Sequence, residues 1–370
     1  PFVTARNAND MVDWEHPLYI GRPGTFAQRG ANFAVQTCDL YVAIGTRLSI
    51  TQTGYNTKDY ARNAQIIQVN IDQAELDKGT LRDPINICMD AKEFLAELSG
   101  YWEYFAGLTW PEWLAQCQKW KEKYPVCLDI YKDEKDYVNS YYFIETLSAL
   151  AKPDDIVVTD MGFAFQNTHQ AWKTKKGQRI LTNCGLAPMG WGLPGAIGAS
   201  FGSSKRVILI TGEGGLMMNI QELATVMHHK LNIKIFVLNN GGYATIKQTQ
   251  EFGFEGRLMG VNGDTGLSFP DFMKIASAHK IAFGEVLHNE EVLPMINLML
   301  MENCPSMLEV FMSPDQPQAP RFLNRRNPDG TMNPTKLEDS FPFLPPEVME
   351  AEMNVFGPIE KIQVTHWRYK

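Results

Sequence analysis

Three features of this 370-residue chain predict an α/β fold in which two doubly wound parallel-sheet domains precede an irregular C-terminal tail. Short apolar, β-branched runs such as Val207-Ile208-Leu209-Ile210 read as strands buried on both faces, as parallel strands are. Each run ends in small or polar residues and passes into a stretch with helical periodicity, the alternation that builds a parallel sheet. The length exceeds what one hydrophobic core holds, so more than one domain is expected.

In chain order, residues 1–100 read as a Rossmann-like α/β domain, incomplete at its amino terminus. Asp39 to Gly45 and Gln65 to Asp72 are its clearest strands, and Ala91 to Leu98 reads as a helix. Residues 101–138, rich in Trp, Lys and Glu, form a helical linker. Trp110 and Trp113 stand three apart beside charges, the pattern of an amphipathic helix packed across a domain surface. The second domain spans 139–312, with a helix over Phe143 to Ala151, a strand over Asp155 to Asp160, a helix over Asp271 to His279 and a last strand over Ser306 to Met312. From 313 to 370 the composition shifts to Pro, Asn, Asp and Arg. Pro314 to Pro320 and Phe343-Leu344-Pro345-Pro346 predict no regular elements, while Phe322, Phe341 and Phe343 suggest a tail that docks as a lid or over a neighbour.

An apolar fraction of 44% and a charged fraction of 21% are those of a globular protein. A formal net charge of −8, without runs of Lys or Arg, argues against nucleic acid or an anionic membrane as partner. Cys38, Cys88, Cys117, Cys127, Cys184 and Cys304 show no CxxC pairing, and the histidines show no metal spacing. Free thiols in a reducing cytoplasm suit that pattern better than disulfides or zinc. No apolar run reaches the roughly 18–20 residues that span a bilayer, and the amino terminus lacks a signal-peptide pattern.

The stretch Arg206 to Asn219 organises the second domain. An apolar strand ends in Thr211-Gly212-Glu213-Gly214-Gly215, and the apolar-periodic segment Ile220 to His229 reads as the following helix. One crossover later, Ile235 to Leu238 ends in Asn239-Asn240-Gly241-Gly242-Tyr243, so two polar clusters fall at the carboxyl ends of strands, where ligands bind in parallel sheets. Glycines admit a diphosphate close to backbone N–H groups, and a carboxylate with an amide oxygen offers hard ligands to a divalent cation. Alone, a Gly-x-Gly turn serves tight turning equally well; the second cluster at crossover distance is what favours a magnesium-diphosphate clamp.

These residues resemble the thiamine diphosphate signature of the acetolactate synthase family, Gly-Asp-Gly followed after a strand-helix-strand interval by Asn-Asn. Asn219-Ile220-Gln221-Glu222-Leu223-Ala224-Thr225 and Leu238-Asn239-Asn240-Gly241 look like the same family. The resemblance implies magnesium held by Glu213, Asn240 and Gly242, with Gly162, Gly190, Gly212, Gly214, Gly215, Asn240, Gly242 and Tyr243 around thiamine diphosphate. In the similar loop Asn183 to Ala196, Met189 takes the place of the catalytic methionine that wedges under thiamine and holds it bent. Thr245, Ile246 and Thr249 would line the substrate pocket, with Thr249 where acetohydroxyacid synthases carry a bulky Trp, which implies a wider or more polar acceptor site.

Departures from the family are local. Glu213 stands where the family has Asp, and Phe163-Ala164 where it has Gln-His after Gly162. In the first domain His16 to Gly21, Gly45-Thr46-Arg47, Asn70-Ile71-Asp72 and Asp90-Ala91-Lys92 look like the family's central domain, whose loops often hold FAD, although Thr51 replaces a second basic residue. Pro1-Phe2-Val3-Thr4 resembles a strand from inside that domain. The catalytic Glu, carried in the family by a pyrimidine-binding domain, is therefore expected from a domain outside this sequence.

By resemblance the function is decarboxylation of a 2-keto acid such as pyruvate and transfer of the acyl unit to a carbonyl acceptor, in a sugar or polysaccharide pathway. The alternatives are a non-ligating decarboxylase and a catalytically inactive cofactor-binding or regulatory protein. A homodimer, a homotetramer or a partner supplying the pyrimidine-binding domain is implied.

Overall fold

The computed structural model describes residues 1–326, 329, 331–333 and 335–357; residues 358–370 of the expected tail lie outside the described residues. Two compact units form. The first comprises 1–5, 18–125 and the segment from 319 onward, and the second 6–17 with 126–318.

In the first unit, β1 (Phe2–Val3) pairs in parallel with β2 (Tyr19–Gly21), and β3 (Leu40–Ile44), β4 (Gln65–Asn70) and β5 (Ile85–Cys88) form a three-stranded parallel sheet in that order. Asp72 and Asp90, read at the sequence level as strand-end and loop residues, cap the helices Gln73–Asp77 and Ala91–Gly100 by accepting from Ala74 N at 2.9 Å and Lys92 N at 2.8 Å.

The stretch read as a helical linker holds several short helices. Within 101–138 the chain forms Trp102–Phe105, Pro111–Lys123 and Asp129–Lys132, and the middle one buries Cys117 and Trp120 against Ile20 and Phe33. Residues of the Pro-rich segment contribute to the same unit. Leu337 and Phe322 join the cluster around Tyr41, Tyr60 and Ile66, while Leu344, Met349 and Met353 join that of Trp120. Pro345-Pro346, expected to exclude regular structure, instead starts the helix Pro346–Met353, because a first-turn position needs no N–H.

In the second unit a six-stranded, all-parallel sheet runs in the order β10-β11-β9-β8-β6-β7, where β6 is Ile156–Thr159, β7 Arg179–Leu181, β8 Val207–Gly212, β9 Ile233–Asn239, β10 Ala282–Val286 and β11 Ser306–Phe311. Alternate residues feed two cores. Ile208, Ile210, Phe236 and Leu308 face the helices Ser140–Leu150, Phe163–Ala171 and Asn289–Met301, and Val207, Leu209, Ile235 and Met307 face Gly192–Gly202 and Phe272–Ala278. Both faces are covered, which is why these strands read as unbroken apolar runs. The single helix expected from Ile220 to His229 is a 3₁₀ turn at Ile220–Glu222 followed by the helix Leu223–His228, and the glycine turn before it itself forms the short helix Glu213–Met217. All six cysteines are free, and among the described residues no helix is long and apolar enough to cross a membrane.

Glu352 fastens the last helix to the first unit. Its carboxylate accepts from Trp120 Nε1 at 2.6 Å and Tyr124 OH at 2.7 Å, and also meets Lys123 Nζ. Glu352→Leu leaves the buried indole N–H without a partner, so it is expected to lower stability by about 1–3 kcal/mol, read as a lower urea midpoint with an unchanged slope. An unchanged midpoint would show that this clasp is incidental.

Candidate functional site

Strand order dictates where a site can form. The chain leaves β6 for β7 on one side and then returns to β8 on the other, so the order reverses between β6 and β8 and their carboxyl ends frame a crevice. Register aligns three polar ends there: Thr159 opposes Ile210 on β8, Gly212 opposes Leu238 on β9, and Asn239 opposes Phe311 on β11.

Glu213 begins the short helix after β8 and is 1% exposed. Its extra methylene carries the carboxylate across to the next strand end, where Oε1 accepts from Asn240 N at 3.1 Å and Gly242 N at 2.8 Å. The two clusters singled out in the sequence are thus bonded to one another. Burial pushes the Glu213 carboxyl up to about 7, against the backbone N–H groups that favour its charged form; the charged side chain that acts on it is another acid, Glu309. Asn240 Oδ1, on the neighbouring strand end, is buried with no hydrogen-bond partner among the described residues.

Asn239, first of the Asn pair, is a support. Its Nδ2 donates to Glu309 Oε1 on β11 at 2.6 Å and its Oδ1 accepts from Gly241 N at 2.9 Å, which fixes the turn that presents Asn240. Gly242 lies so close to the strand-like segment at Val261 that a Cβ would stand 2.0 Å from the Val261 carbonyl oxygen. Gly214 is overlain by the Tyr243 ring, 2.2 Å from where its Cβ would be, and by the Met189 methyl at 3.2 Å, so Met189, Gly214 and Tyr243 meet at one place.

Several glycines read as ligand clearance are therefore required by the protein itself. A Cβ on Gly215 would stand 2.5 Å from Asp160 Oδ2, and one on Gly190 2.5 Å from Met218 Cβ. Gly212 and Gly162 differ. Gly212 would meet only the Leu238 carbonyl at 3.8 Å, and Gly162, at φ +68°, caps the helix Phe163–Ala171 with only Thr245 Oγ1 near, at 3.5 Å. Thr245 and Ile246 open the helix Ala244–Gly253, Thr245 toward Gly162 and Ile246 exposed. Thr249, also exposed, donates its hydroxyl proton to Thr245 O at 3.0 Å within that helix.

Residues 160–310 match the family model "Thiamine pyrophosphate enzyme, C-terminal TPP binding domain", and residues 1–98 match "Thiamine pyrophosphate enzyme, central domain". An acetolactate synthase large subunit of Cyanidium caldarium is 32% identical over 319 residues, covering 84% of this chain and 52% of that protein. The chain belongs to the acetolactate synthase-like family of thiamine pyrophosphate enzymes. Other relatives are acetolactate synthase isozyme 2 large subunit of Escherichia coli, 28% identical over 92% of this chain and 56% of its own length, and a probable acetolactate synthase large subunit of Methanocaldococcus jannaschii, 30% identical over 85% and 53%. The chain spans about half the length of these relatives.

The strand ends fit the metal that this family's cofactor brings. At the amino edge of the sheet the buried Asp155 has a bidentate guanidinium partner, Arg206, at 2.6 and 2.9 Å. At the carboxyl edge Glu213, Asp160 and Glu309 form no ion pair among the described residues, so these acidic groups are buried there with neutral donors around them. Among the described residues no cluster of three His, Cys, Asp or Glu could hold a metal alone. A hard cation would rest on one carboxylate, the unpartnered Asn240 oxygen, backbone oxygen and the ligand's phosphate oxygens, the usual way magnesium is held.

Asp160 and Glu309 were not singled out in the sequence. The signal for Asp160 was an acid directly after the buried strand Ile156–Thr159; Glu309 sits inside β11, where nothing local marks it.

A raised acid titrates with a definite sign. Glu213 stays protonated more readily folded than unfolded, so its contribution is full below the ordinary value of 4.5 and is lost as pH rises through about 7. In chelator, the chain is expected to lose stability across that window, and Glu213→Gln to flatten it; an already flat wild-type profile would contradict the burial argument. Glu309→Leu is expected to weaken magnesium-dependent thiamine diphosphate binding roughly 10–100-fold by releasing Asn239, with Glu309→Gln close to wild type because its amide oxygen still accepts. Equal affinities by calorimetry would show that Glu309 does not support the turn.

Proposed function

We propose that this chain holds thiamine diphosphate and magnesium in an enzyme that decarboxylates a 2-keto acid, pyruvate in the first instance, and transfers the acyl unit to a carbonyl acceptor. The observation that carries the reading is the paired strand end: Glu213, buried without a cationic partner, bonded to the turn whose Asn240 oxygen is also unpartnered. The bound cofactor supplies the electron sink for decarboxylation. Glu213, Asn240 and the Gly242 carbonyl would hold the metal, and Gly162 and Gly212 leave room near helix amino termini for the diphosphate.

Met189 and Tyr243, which both lie over Gly214, would shape the surface on which thiamine lies. Thr245, Ile246 and Thr249 would flank the substrate, and the small Thr249 favours a roomy acceptor site, in keeping with a sugar-derived carbonyl. FAD belongs to the same reading, on the turn at Gly45, whose φ of +62° suits a close backbone approach. The large-subunit names of the relatives support assembly with further subunits.

Calorimetric titration tests the cofactor assignment. Thiamine diphosphate is expected to bind only with magnesium, and Glu213→Ala to weaken it by more than the roughly 10–100-fold typical of outer-shell losses. Unchanged affinity would remove Glu213 from the site. Product analysis with pyruvate, in the presence of the pyrimidine-binding component, then separates the reactions: a ligated product with a carbonyl acceptor supports transfer, and aldehyde alone in both conditions supports the decarboxylase.

A further inference from the structure

Asp160 follows β6 directly and is 1% exposed. Four donors from three segments converge on its carboxylate. Oδ1 accepts from Met161 N at 2.8 Å and from Gly190 N at 3.0 Å, Oδ2 lies 3.2 Å from Gly190 N and accepts from Thr211 Oγ1 at 3.1 Å, and Gly192 N also donates to it. Gly215 and Gly192 approach so closely that a Cβ on either would stand 2.5 Å and 2.9 Å from Asp160 atoms. On its other side Gly190 is fixed by Asn219 Nδ2, which donates to its carbonyl at 2.6 Å. The peptide that follows Met189 is thus held from both directions, at φ +85° for Gly190.

We propose that Asp160 is the positioning residue of this site: its carboxylate holds the Met189 loop in register with the Gly212–Gly215 turn and so sets where thiamine lies relative to its diphosphate. The proposal rests on the thiamine diphosphate reading above. An acid that accepts from three backbone N–H groups and a hydroxyl, with no cation, is built to orient chain segments. Its place between β6 and β8, where the strand order reverses, makes it the link between the half of the site that grips phosphate and the half that carries Met189. Neither Glu213 nor Asn240 touches that loop through any hydrogen bond among the described residues.

The test joins a ligand-free readout to a binding contrast. Deuterium exchange is followed in the segment 186–192 and in β9 for wild type, Asp160→Ala and Asp160→Asn. Affinities for magnesium thiamine diphosphate and magnesium pyrophosphate, which lacks thiamine, are measured on the same proteins. Asp160→Ala is expected to speed exchange in 186–192 at least about tenfold, as loss of about one hydrogen bond implies, while β9 stays protected. It is also expected to weaken thiamine diphosphate roughly 10–100-fold but pyrophosphate little. Asp160→Asn is expected to restore most of both, because its oxygen still accepts from Met161 and Gly190 while its amide donates to Thr211 Oγ1, whose proton turns to Gly212 O at 3.1 Å; only the second acceptor oxygen is lost.

Unchanged exchange in 186–192, or an equal loss for both ligands, overturns the proposal, since a merely structural role would not separate thiamine from pyrophosphate. Wild-type protein that binds neither ligand overturns the thiamine diphosphate reading and this proposal's thiamine half, while the exchange contrast still decides whether Asp160 holds the loop. Should Asp160→Ala fail to fold, Asp160→Ser, whose hydroxyl reaches Met161 but falls short of Gly190, carries the same comparison.

Discussion

A six-stranded parallel sheet whose central strands are buried on both faces leaves its carboxyl edge for polar chemistry, and the site in the second unit follows from that constraint. A parallel sheet delivers all its carboxyl ends to one side, and the reversal of strand order between β6 and β8 opens that side into a crevice. Lys234 in β9 and Glu309 in β11 aside, the central strands are filled mainly by apolar side chains. The acids and amides therefore collect in the first residues beyond each strand: Asp160 after β6, Glu213 after β8, Asn239 and Asn240 at the end of β9.

Those groups are costly to bury. Asp155, at the opposite edge, shows how the fold satisfies a buried acid when nothing else is asked of it, with a guanidinium close against both oxygens. At the carboxyl edge backbone N–H groups and neutral side chains do the corresponding work: two amides on Glu213, three amides and a hydroxyl on Asp160, and the Asn239 amide on Glu309. Burial raises all three acids. Neutral donors orient an acid without cancelling its charge, which leaves Glu213 available to a cation that arrives with a ligand, and leaves Asp160 and Glu309 to brace the turns on either side. The Glu213 side chain, one methylene longer than the family's aspartate, spends that length in reaching the next strand end.

The first unit solves a different problem. Its three-stranded sheet is small, and distant parts of the chain complete its cores: Leu337 beside Tyr60 and Ile66, and the helix Pro346–Met353 against Trp120 through Glu352. Glu338 binds Arg62 at 2.6 Å and Gln36 at 3.0 Å in the same way, with its carboxylate nearly buried. Proline does not prevent this, because a segment that packs by its side chains needs few backbone hydrogen bonds of its own.

The amino-acid sequence by itself determined the α/β class, the central strands and the adjacency of the Glu213 and Asn240 turns, because period, apolar continuity and glycine placement are local properties. It also carried the family resemblance, since the motif words are short and contiguous. Only the tertiary structure decided what the glycines clear, since Gly215 faces Asp160, Gly214 faces Tyr243 and Gly242 faces the Val261 carbonyl, each a contact between segments apart in the chain. It likewise decided that the segment Arg6–Pro17 and the residues from Ala319 join different units than their position suggests, and that the helix after β8 breaks at Asn219, whose side chain is drawn to the Gly190 carbonyl. Asp160 and Glu309 were illegible for the same reason: an acid next to or within an apolar strand acquires a role only from the neighbours that strand pairing and crossover bring to it.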